Sequence, residues 1–282
     1  MPGMKWTFMS LQILDEVRSG KMTFAEMFPR ARAAGFVAYD ASDMDAEFAD
    51  REEVLRLCRE NGLKIADYIH WIHMATPDDK TLEAAIESGK QAVHTALAHG
   101  TKMLMIVEQV NRHDLEKLTR QEASRRMGCA LREIVNYADK FGVTVMVEDF
   151  PVPALPMSTS DEMKALLDAA PGLQLILDTG NMLAQKEDPL HFYQALKGHY
   201  AHVHLKDIEY PENATTGDID CDGRHIWNAQ HGEGVVNFAA LLPDLKQDGF
   251  DGYVTVEYGP HEGTKDHFEK MAESIRYLEG LL

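Results

Sequence analysis

Acidic and imidazole side chains end several apolar runs in the second half of the chain. In order, the ends are Glu148 with Asp149, Asp178 with Asn181, His204 with Lys206 and Asp207, and Glu257. Carboxylates gathered at one point repel one another, and a divalent cation removes that conflict. Oxygen ligands with one imidazole nitrogen suit Mn²⁺ or Mg²⁺, while Co²⁺, Fe²⁺ and Zn²⁺ also accept them. Taken singly, each residue has a structural alternative as a helix N-cap or an ion-pair partner.

The strands that must position these residues alternate with longer segments along the chain. Short apolar runs rich in β-branched residues are each followed by a longer segment, which predicts βα units around a parallel sheet. Eight such strands can be counted, which is the number in a TIM barrel. Residues 1–282 are therefore predicted to form a single (β/α)₈ TIM barrel domain. The predicted strands are Lys5–Met9, Phe36–Asp40, Leu63–His70, Met103–Glu108, Val143–Asp149, Leu173–Asp178, Ala201–Lys206 and Tyr253–Glu257.

Helical periodicity fills most of the intervening segments. Glycines stand just before strands, where a left-handed residue can end the preceding helix. They are Gly35, Gly62, Gly100, Gly142 and Gly249. The predicted helices are Arg51–Asn61, Lys80–Ala98, Arg120–Phe141, Ser160–Ala169, Pro189–Lys197, Phe238–Gln247 and Lys265–Leu282.

The carboxyl ends of barrel strands share one face, where barrel active sites lie. The polar residues that end strands five to eight should therefore meet there. The stretch Ile208–Val236 follows the seventh strand and is rich in Asp, Asn, Gly and Thr. Irregular loops of that length usually serve a site, so this one is predicted to be an irregular lid. The alternative is a solvated surface insertion.

The order of four motifs resembles the xylose-isomerase-like TIM barrel superfamily. The motifs are VEDF, LDTGN, HVHLKD and GYVTVEYG, and HGEGVVNF is similar to the Gly-rich turn before the last barrel helix. The resemblance implies a single divalent cation held by Glu148, Asp178, His204 and Glu257. His204 is preferred to His202 because it lies nearer the end of its strand; His202 is expected to be buried and hydrogen-bonded inside the barrel.

The resemblance also implies a chemistry. It predicts an isomerase or epimerase of a sugar, sugar acid or inositol-derived ketone, with proton transfer through a metal-stabilised enediolate. Glu148 and Glu257 would act as ligands and as bases. Many sugar epimerases of the family carry His where Asn181 stands, and an amide cannot act as an acid near neutral pH. A lyase or dehydratase acting on an inosose or keto-glycoside is therefore the alternative.

Other polar residues near strand ends are predicted to bind substrate: His70, Trp71, Glu108, Asn181, Lys206 and His231. His73 could supply a further hydrogen bond, and Trp71 a stacking wall. Packed or exposed side chains are the alternative for the histidines. For Lys206 the alternative is an ion pair with Asp207.

Composition limits the partners. A formal net charge of −18 disfavours nucleic acids and anionic membranes, which argues against a DNA-repair endonuclease of the same superfamily. A non-catalytic binding protein on the same barrel is a further alternative. The three distant cysteines favour a reducing, cytoplasmic location, and no apolar run has signal-peptide or membrane-span length. We expect a small carbohydrate ligand, no nucleic acid and no membrane; a dimer or tetramer is common among similar proteins.

Overall fold

Eight parallel strands close into a barrel in the computed structural model, which describes residues 4–258 and 266–282. The barrel strands are β1–β7 and β10; β10 closes the ring by pairing with both β1 and β7. The predicted barrel is confirmed. The strands are β1 (Lys5–Met9), β2 (Ala38–Ser42), β3 (Lys64–Ile72), β4 (Met103–Glu108), β5 (Thr144–Glu148), β6 (Gln174–Asp178), β7 (Tyr200–Glu209), β8 (Asp218–Ile219), β9 (His225–Ala229) and β10 (Tyr253–Glu257).

Helices surround the barrel. They are α1 (Leu14–Arg18), α2 (Phe24–Ala34), α3 (Arg51–Glu60), α4 (Asp79–Ala98), α5 (Arg112–Leu115), α6 (Arg120–Asp139), α7 (Ser160–Ala169), α8 (Pro189–Ala195), α9 (Phe238–Gln247) and α10 (His267–Glu279). Lys265, the predicted start of the last helix, lies outside the described residues. Among the described helices, none combines the length and apolar character that a membrane crossing requires.

The sequence prediction missed the helix between the first two strands. Thr23 and Glu26 form a capping box that begins α2. Pro29 lies inside the helix, and Gly35 ends it in a left-handed conformation with φ 109°. All five glycines predicted to end helices have positive φ, from 63° to 109°, so that part of the prediction is confirmed.

Alternate residues of each barrel strand face opposite sides. Phe8 and Leu104 belong to the large core that includes buried residues of the helices, whereas Met146 and Ile176 belong to a second apolar cluster. Because Glu148 and Asp178 follow Met146 and Ile176 by two residues, they share the interior face at the carboxyl ends of their strands.

The segment after β7 is more regular than predicted. The prediction of an irregular stretch over Ile208–Val236 is wrong, because β9 pairs antiparallel with the end of β7, and β8 pairs with β9. Ile208 and Ile226 form a small buried cluster with Ala184, and this burial explains why the insertion folds as a ribbon against the barrel.

Asp207 anchors the HGEGVVNF turn to the end of β7. Its carboxylate accepts hydrogen bonds from the backbone amides of Gly232, Gly234 and Val236 at 2.9–3.0 Å. A Cβ added to Gly234 would lie 2.3 Å from Asp207 Oδ1, so only glycine permits this approach. The glycine-rich motif is therefore explained by a buried carboxylate that binds the turn.

Candidate metal centre

Four side chains converge at the carboxyl end of the barrel. Glu148, Asp178 and Glu257 are the last residues of their strands, and His204 lies on β7 between β6 and β10. The strand register pairs His204 with Asp178 on one side and with Thr255 on the other. One ligand atom from each of the four residues lies within 4.8 Å of the others.

The ligand-type atoms of these side chains lie close enough together to hold one metal ion. His204 Nδ1 lies 2.5 Å from Glu148 Oε1 and 3.6 Å from Glu257 Oε2. Glu148 Oε1, Asp178 Oδ2 and both nitrogens of His204 are buried without a hydrogen-bond partner in the part of the chain that the structure describes. Buried polar atoms are rarely left without partners, so the donor set fits a divalent cation.

Backbone amides orient one of the ligands. Asp178 Oδ1 accepts hydrogen bonds from the backbone amides of Gly180 and Asn181, both at 2.7 Å. The other carboxylate oxygen, Oδ2, is thereby left available to a cation. Hydrogen bonds of this kind fix a metal-binding carboxylate in one orientation. Burial raises the pKa of Asp178 to about 6, although the charge of Lys206 opposes the shift.

Lys206 supplies positive charge beside the carboxylates. Its Nζ lies 2.7 Å from Glu257 Oε1 and 3.2 Å from Asp178 Oδ2. Burial lowers the pKa of Lys206, but Asp178, then Glu257 and Glu148, raise it well above the ordinary value, so the ammonium stays charged. The predicted alternative of an ion pair with Asp207 is wrong, because Asp207 is occupied by the backbone amides of the glycine-rich turn.

The two neighbouring histidines differ in their surroundings. Burial lowers the pKa of His204, but Glu148 and then Glu257 offset this effect and raise it to about 10. Burial, followed by the charge of His204, lowers the pKa of His202 well below its ordinary value. His202 Nε2 lies 2.7 Å from Thr255 Oγ1, and the side chain is fully buried. His202 therefore has the neutral interior environment expected for it.

Two of the residues predicted to bind substrate lie against the four ligand candidates or among the apolar residues of the barrel interior. Asn181 is buried, accepts a hydrogen bond from Lys206 Nζ at 2.8 Å and donates one to the Asp149 carbonyl at 2.8 Å. Trp71 is half-buried and packs with Phe150 against the apolar residues inside the barrel. Asn181 therefore lies beside Lys206 at the candidate centre, and Trp71 lies against the apolar interior of the barrel.

The remaining predicted residues have partners elsewhere. His70 lies between Asp43 Oδ2 at 2.6 Å and Ser88 Oγ at 2.9 Å. His231 is buried, and its two ring nitrogens lie 2.9 Å from Ser274 Oγ and 2.8 Å from the Leu205 carbonyl. Both nitrogens of each ring are thus within hydrogen-bond distance of protein atoms.

Glu108 is also engaged by other protein groups. Its carboxylate accepts hydrogen bonds from the amides of Met74 and Ala75, and it lies 3.0 Å from His73 Nδ1. His73 Nε2 lies 2.9 Å from Asp114 on α5. Glu108 and His73 therefore connect the segments that follow β3 and β4.

Two buried aspartates, Asp40 and Asp67, were not among the predicted site residues. Asp40 accepts hydrogen bonds from Thr7 at 2.7 Å and Thr255 at 2.8 Å, and it forms a second cluster with His202 and His204. Asp67 is fully buried with no hydrogen-bond partner for either oxygen within the described residues. The signal in the sequence was a lone Asp inside the apolar run KIADYI, where a buried strand otherwise excludes charge.

A family model described as xylose isomerase-like TIM barrel matches residues 14–281 of this chain. An inosose dehydratase from Lacticaseibacillus casei is 19% identical over 235 residues, which cover 78% of this chain and 77% of that protein. An L-ribulose-5-phosphate 3-epimerase from Escherichia coli (strain SE11) is 26% identical over 241 residues, which cover 81% and 80% of the two chains.

The crystal structure of an IolI protein with a zinc atom has the same fold. Its TM-score with this chain is 0.77 at 18% identity, over 98% of this chain and 96% of that one.

Proposed function

Because the chain belongs to the xylose isomerase-like TIM barrel family, we propose that it is a divalent-metal-dependent isomerase or epimerase. Its substrate is a sugar, a sugar acid or an inositol-derived ketone. The observation that carries the proposal is the convergence of Glu148, Asp178, His204 and Glu257, whose ligand atoms lie within 4.8 Å of one another. The similarity to an L-ribulose-5-phosphate 3-epimerase supports the reaction class.

The same four residues are the proposed ligands. A bound divalent cation supplies Lewis acidity toward the neighbouring hydroxyl and carbonyl oxygens of a hydroxy-ketone, which acidifies the carbon-bound proton between them. Mn²⁺ or Mg²⁺ is proposed because three of the four ligands are carboxylates. The zinc atom in the IolI structure keeps Zn²⁺ among the metals to be tested, with Co²⁺ and Fe²⁺.

Two carboxylates are proposed to move the proton. Glu148 on β5 and Glu257 on β10 lie 2.5 and 3.6 Å from His204 Nδ1. One carboxylate removes the proton from one face of the substrate carbon, and the other returns a proton to the opposite face. Such a transfer inverts that carbon, which is the outcome of an epimerisation.

Lys206 and Asn181 are proposed to bind the substrate oxygens. Lys206 Nζ already contacts Glu257 Oε1 at 2.7 Å and Asn181 Oδ1 at 2.8 Å, so a charged donor and an amide lie beside the proposed base. An ammonium in that position stabilises the negative charge that develops on a substrate oxygen. Trp71 contributes an apolar wall for the sugar ring. His70, Glu108 and His231 stay predictions, and each has protein partners of its own.

A lyase or dehydratase acting on an inosose or keto-glycoside is the second candidate. One observation favours it: Asn181, an amide, occupies the position where many sugar epimerases of the family carry His, and its oxygen is held by Lys206. The similarity to an inosose dehydratase agrees with this alternative. One of the same carboxylates would remove the proton. The oxygen on the neighbouring carbon would then take up a proton and leave as water, or as an alcohol from a keto-glycoside.

Residues 208–236 are proposed to cover the substrate. Because β9 and the Asp207 contacts hold both ends of this segment, closure would be confined to residues 211–217.

A cytoplasmic location is proposed because the three cysteines are unpaired.

Solvent deuterium exchange tests the function. The Mn²⁺- or Mg²⁺-loaded protein is incubated in D₂O with keto-sugars and inososes, and deuterium on the carbon beside the carbonyl is measured by NMR. We expect incorporation by the wild type, its loss in Glu257→Gln, and no change in the exposed control Glu83→Gln on α4. Loss of water from the product identifies the dehydratase, and unchanged exchange in Glu257→Gln overturns the proton-transfer role.

A further inference from the structure

Polar side chains occupy the barrel interior next to the candidate metal centre, where large aliphatic residues usually pack. Asp40 on β2, Asp67 on β3 and His202 on β7 are all fully buried. The register of β2 and β3 places Asp40 and Asp67 beside each other on adjacent strands. Buried polar groups almost always have hydrogen-bond partners, so the partners of these side chains indicate what they hold in place.

The two ring nitrogens of His204 face different surroundings. Nδ1 lies 2.5 Å from Glu148 Oε1 and 3.6 Å from Glu257 Oε2. The lone pairs of the two imidazole nitrogens point in widely different directions, so Nε2 is directed away from these carboxylates. Nε2 is buried and has no hydrogen-bond partner within the described residues. When Nδ1 is a metal ligand, Nε2 carries the ring proton and needs an acceptor.

Asp40 is placed to be that acceptor. It forms a group with His202 and His204 in which one ligand-type atom of each residue lies within 4.8 Å of the others. Its two oxygens already accept hydrogen bonds, from Thr7 Oγ1 at 2.7 Å and from Thr255 Oγ1 at 2.8 Å. Each carboxylate oxygen can accept two hydrogen bonds, so Asp40 has the capacity for a third donor.

The contacts around Asp40 form a chain of hydrogen bonds with a defined direction. Thr255 Oγ1 donates its single proton to Asp40 Oδ2, so it accepts from His202 Nε2, which lies 2.7 Å away. His202 is therefore the Nε2–H tautomer. Thr255 also pairs with His204 in the register of β10 and β7, which keeps this chain beside the candidate ligand. Hydroxyls from two strands thus fix the carboxylate of Asp40 in one orientation.

We propose that Asp40 is a positioning residue of the metal centre: its carboxylate accepts a hydrogen bond from His204 Nε2 and so holds Nδ1 toward the cation. The proposal rests on the four-residue centre and not on the reaction carried out there. The hydrogen bond belongs to the metal-bound state, because two ligands at roughly 2.1 Å from one cation stand at least about 3 Å apart. Glu148 and His204 therefore separate from their 2.5 Å approach when metal binds.

A carboxylate behind an imidazole ligand affects the bound metal in two ways. It selects the tautomer that leaves the metal-binding nitrogen unprotonated, and it makes that nitrogen a stronger electron donor. Asp67 is the matched comparison, because it is equally buried on the neighbouring strand. Neither oxygen of Asp67 has a hydrogen-bond partner within the described residues, and Asp67 is outside the group formed by Asp40, His202 and His204.

Two measurements on the full-length chain test the proposal. Equilibrium dialysis gives the Mn²⁺ dissociation constants of wild type, Asp40→Asn and the matched control Asp67→Asn. We expect binding to weaken by about 10–100-fold in Asp40→Asn, with no comparable change in Asp67→Asn.

NMR of the Zn²⁺-loaded protein with ¹⁵N-labelled histidine follows the Nε2 proton of His204, which is assigned by its absence from His204→Ala. We expect a slowly exchanging, downfield proton signal in wild type and in Asp67→Asn. The signal should move upfield in Asp40→Asn, because its acceptor has lost its charge. A purely structural role of Asp40 would not move this signal.

Equal Mn²⁺ affinity in Asp40→Asn and wild type overturns the proposal. An equal loss in both aspartate variants also overturns it, because the effect is then one of interior charge. So does an Nε2 proton signal that stays in place in Asp40→Asn. If thermal unfolding shows that Asp40→Asn does not fold, Thr255→Val takes its place: it removes one hydroxyl that orients Asp40 and should weaken Mn²⁺ binding by a smaller factor, and unchanged binding there overturns the proposal.

Both measurements are made without substrate. A protein that passes them and fails the deuterium-exchange test therefore overturns the proposed function and leaves the role of Asp40 standing.

Discussion

Glu148 Oε1 and His204 Nδ1 lie 2.5 Å apart without hydrogen-bond geometry. Both atoms are buried, and Asp178 Oδ2, which lies 3.2 Å from Lys206 Nζ, is also buried without a hydrogen-bond partner in the described part of the chain. A close approach of buried ligand-type atoms that lack hydrogen-bond partners fits a site for one cation. The predictions below follow from that relationship and from the contacts that hold the site.

The two histidines of β7 should separate metal binding from packing. His204→Ala removes a proposed ligand, so we expect metal affinity to fall by about two orders of magnitude or more. His202→Ala leaves the four ligand atoms in place, and we expect metal binding to persist with a stability loss of about 2 kcal/mol from the cavity. Equilibrium dialysis with Mn²⁺ and urea unfolding measure the two effects. Loss of metal from the His202 variant alone would contradict the assignment.

Metal binding should stabilise the fold. A ligand present at a hundred times its dissociation constant adds about 2.7 kcal/mol, which corresponds to roughly 5 °C in the melting temperature of a chain of this size. We expect removal of the metal by a chelator to lower the melting temperature of the wild type by that amount. The double variant Glu148→Gln/Asp178→Asn is the control and should not respond to the chelator. An equal response in both proteins would place the stabilising metal elsewhere.

The ion-pair network at α5 should give a pH-dependent contribution to stability. The hydrogen bond to Glu108 raises the pKa of His73 to about 9, against the opposing effect of burial and with help from Asp114. Because the folded-state pKa exceeds the unfolded value of about 6.5, this stability is present below pH 6.5 and is lost as pH rises through 9.

The difference in unfolding free energy between wild type and His73→Asn should therefore be about 1 kcal/mol larger at pH 6 than at pH 9.5. Urea unfolding at both values measures it. His113→Asn, an exposed position on α5 next to Asp114, serves as the control. A difference that does not change with pH would show that His73 contributes only through packing.

The Asp207 contacts should hold the glycine-rich turn. Asp207→Ala leaves the amides of Gly232, Gly234 and Val236 without their acceptor, at a cost on the order of 3 kcal/mol. We expect faster hydrogen exchange at residues 232–236 and lower stability, with Asp139→Ala as the exposed control. Unchanged exchange in this segment would contradict the anchoring role.

Sequence patterns predicted the barrel and the convergence of the four candidate ligands, because the carboxyl ends of parallel barrel strands share one face. They did not predict the ribbon formed by β8 and β9, since its stability comes from contacts of Ile226 with residues far along the chain. The partners of Lys206 were also missed. Neighbours in sequence suggested Asp207, whereas the parallel register brings Asp178 and Glu257 to its Nζ.

The surroundings of the buried Asp40 and Asp67 could not be predicted from the sequence either. Asp40 and Thr255 are 215 residues apart and meet only because the barrel closes between β1 and β10. A single sequence shows that Asp67 interrupts an apolar run, but not which side chains surround it. Burial of such residues is set by the closed sheet and not by local preference.

Anomalous X-ray diffraction from crystals soaked in Mn²⁺ or Zn²⁺ tests the central claim most directly. The account predicts one strong anomalous peak about 2.0–2.3 Å from ligand atoms of Glu148, Asp178, His204 and Glu257. A peak bound by other residues, or none at this point in crystals of protein shown to contain metal, would contradict the four-residue centre and the proton-transfer chemistry built on it.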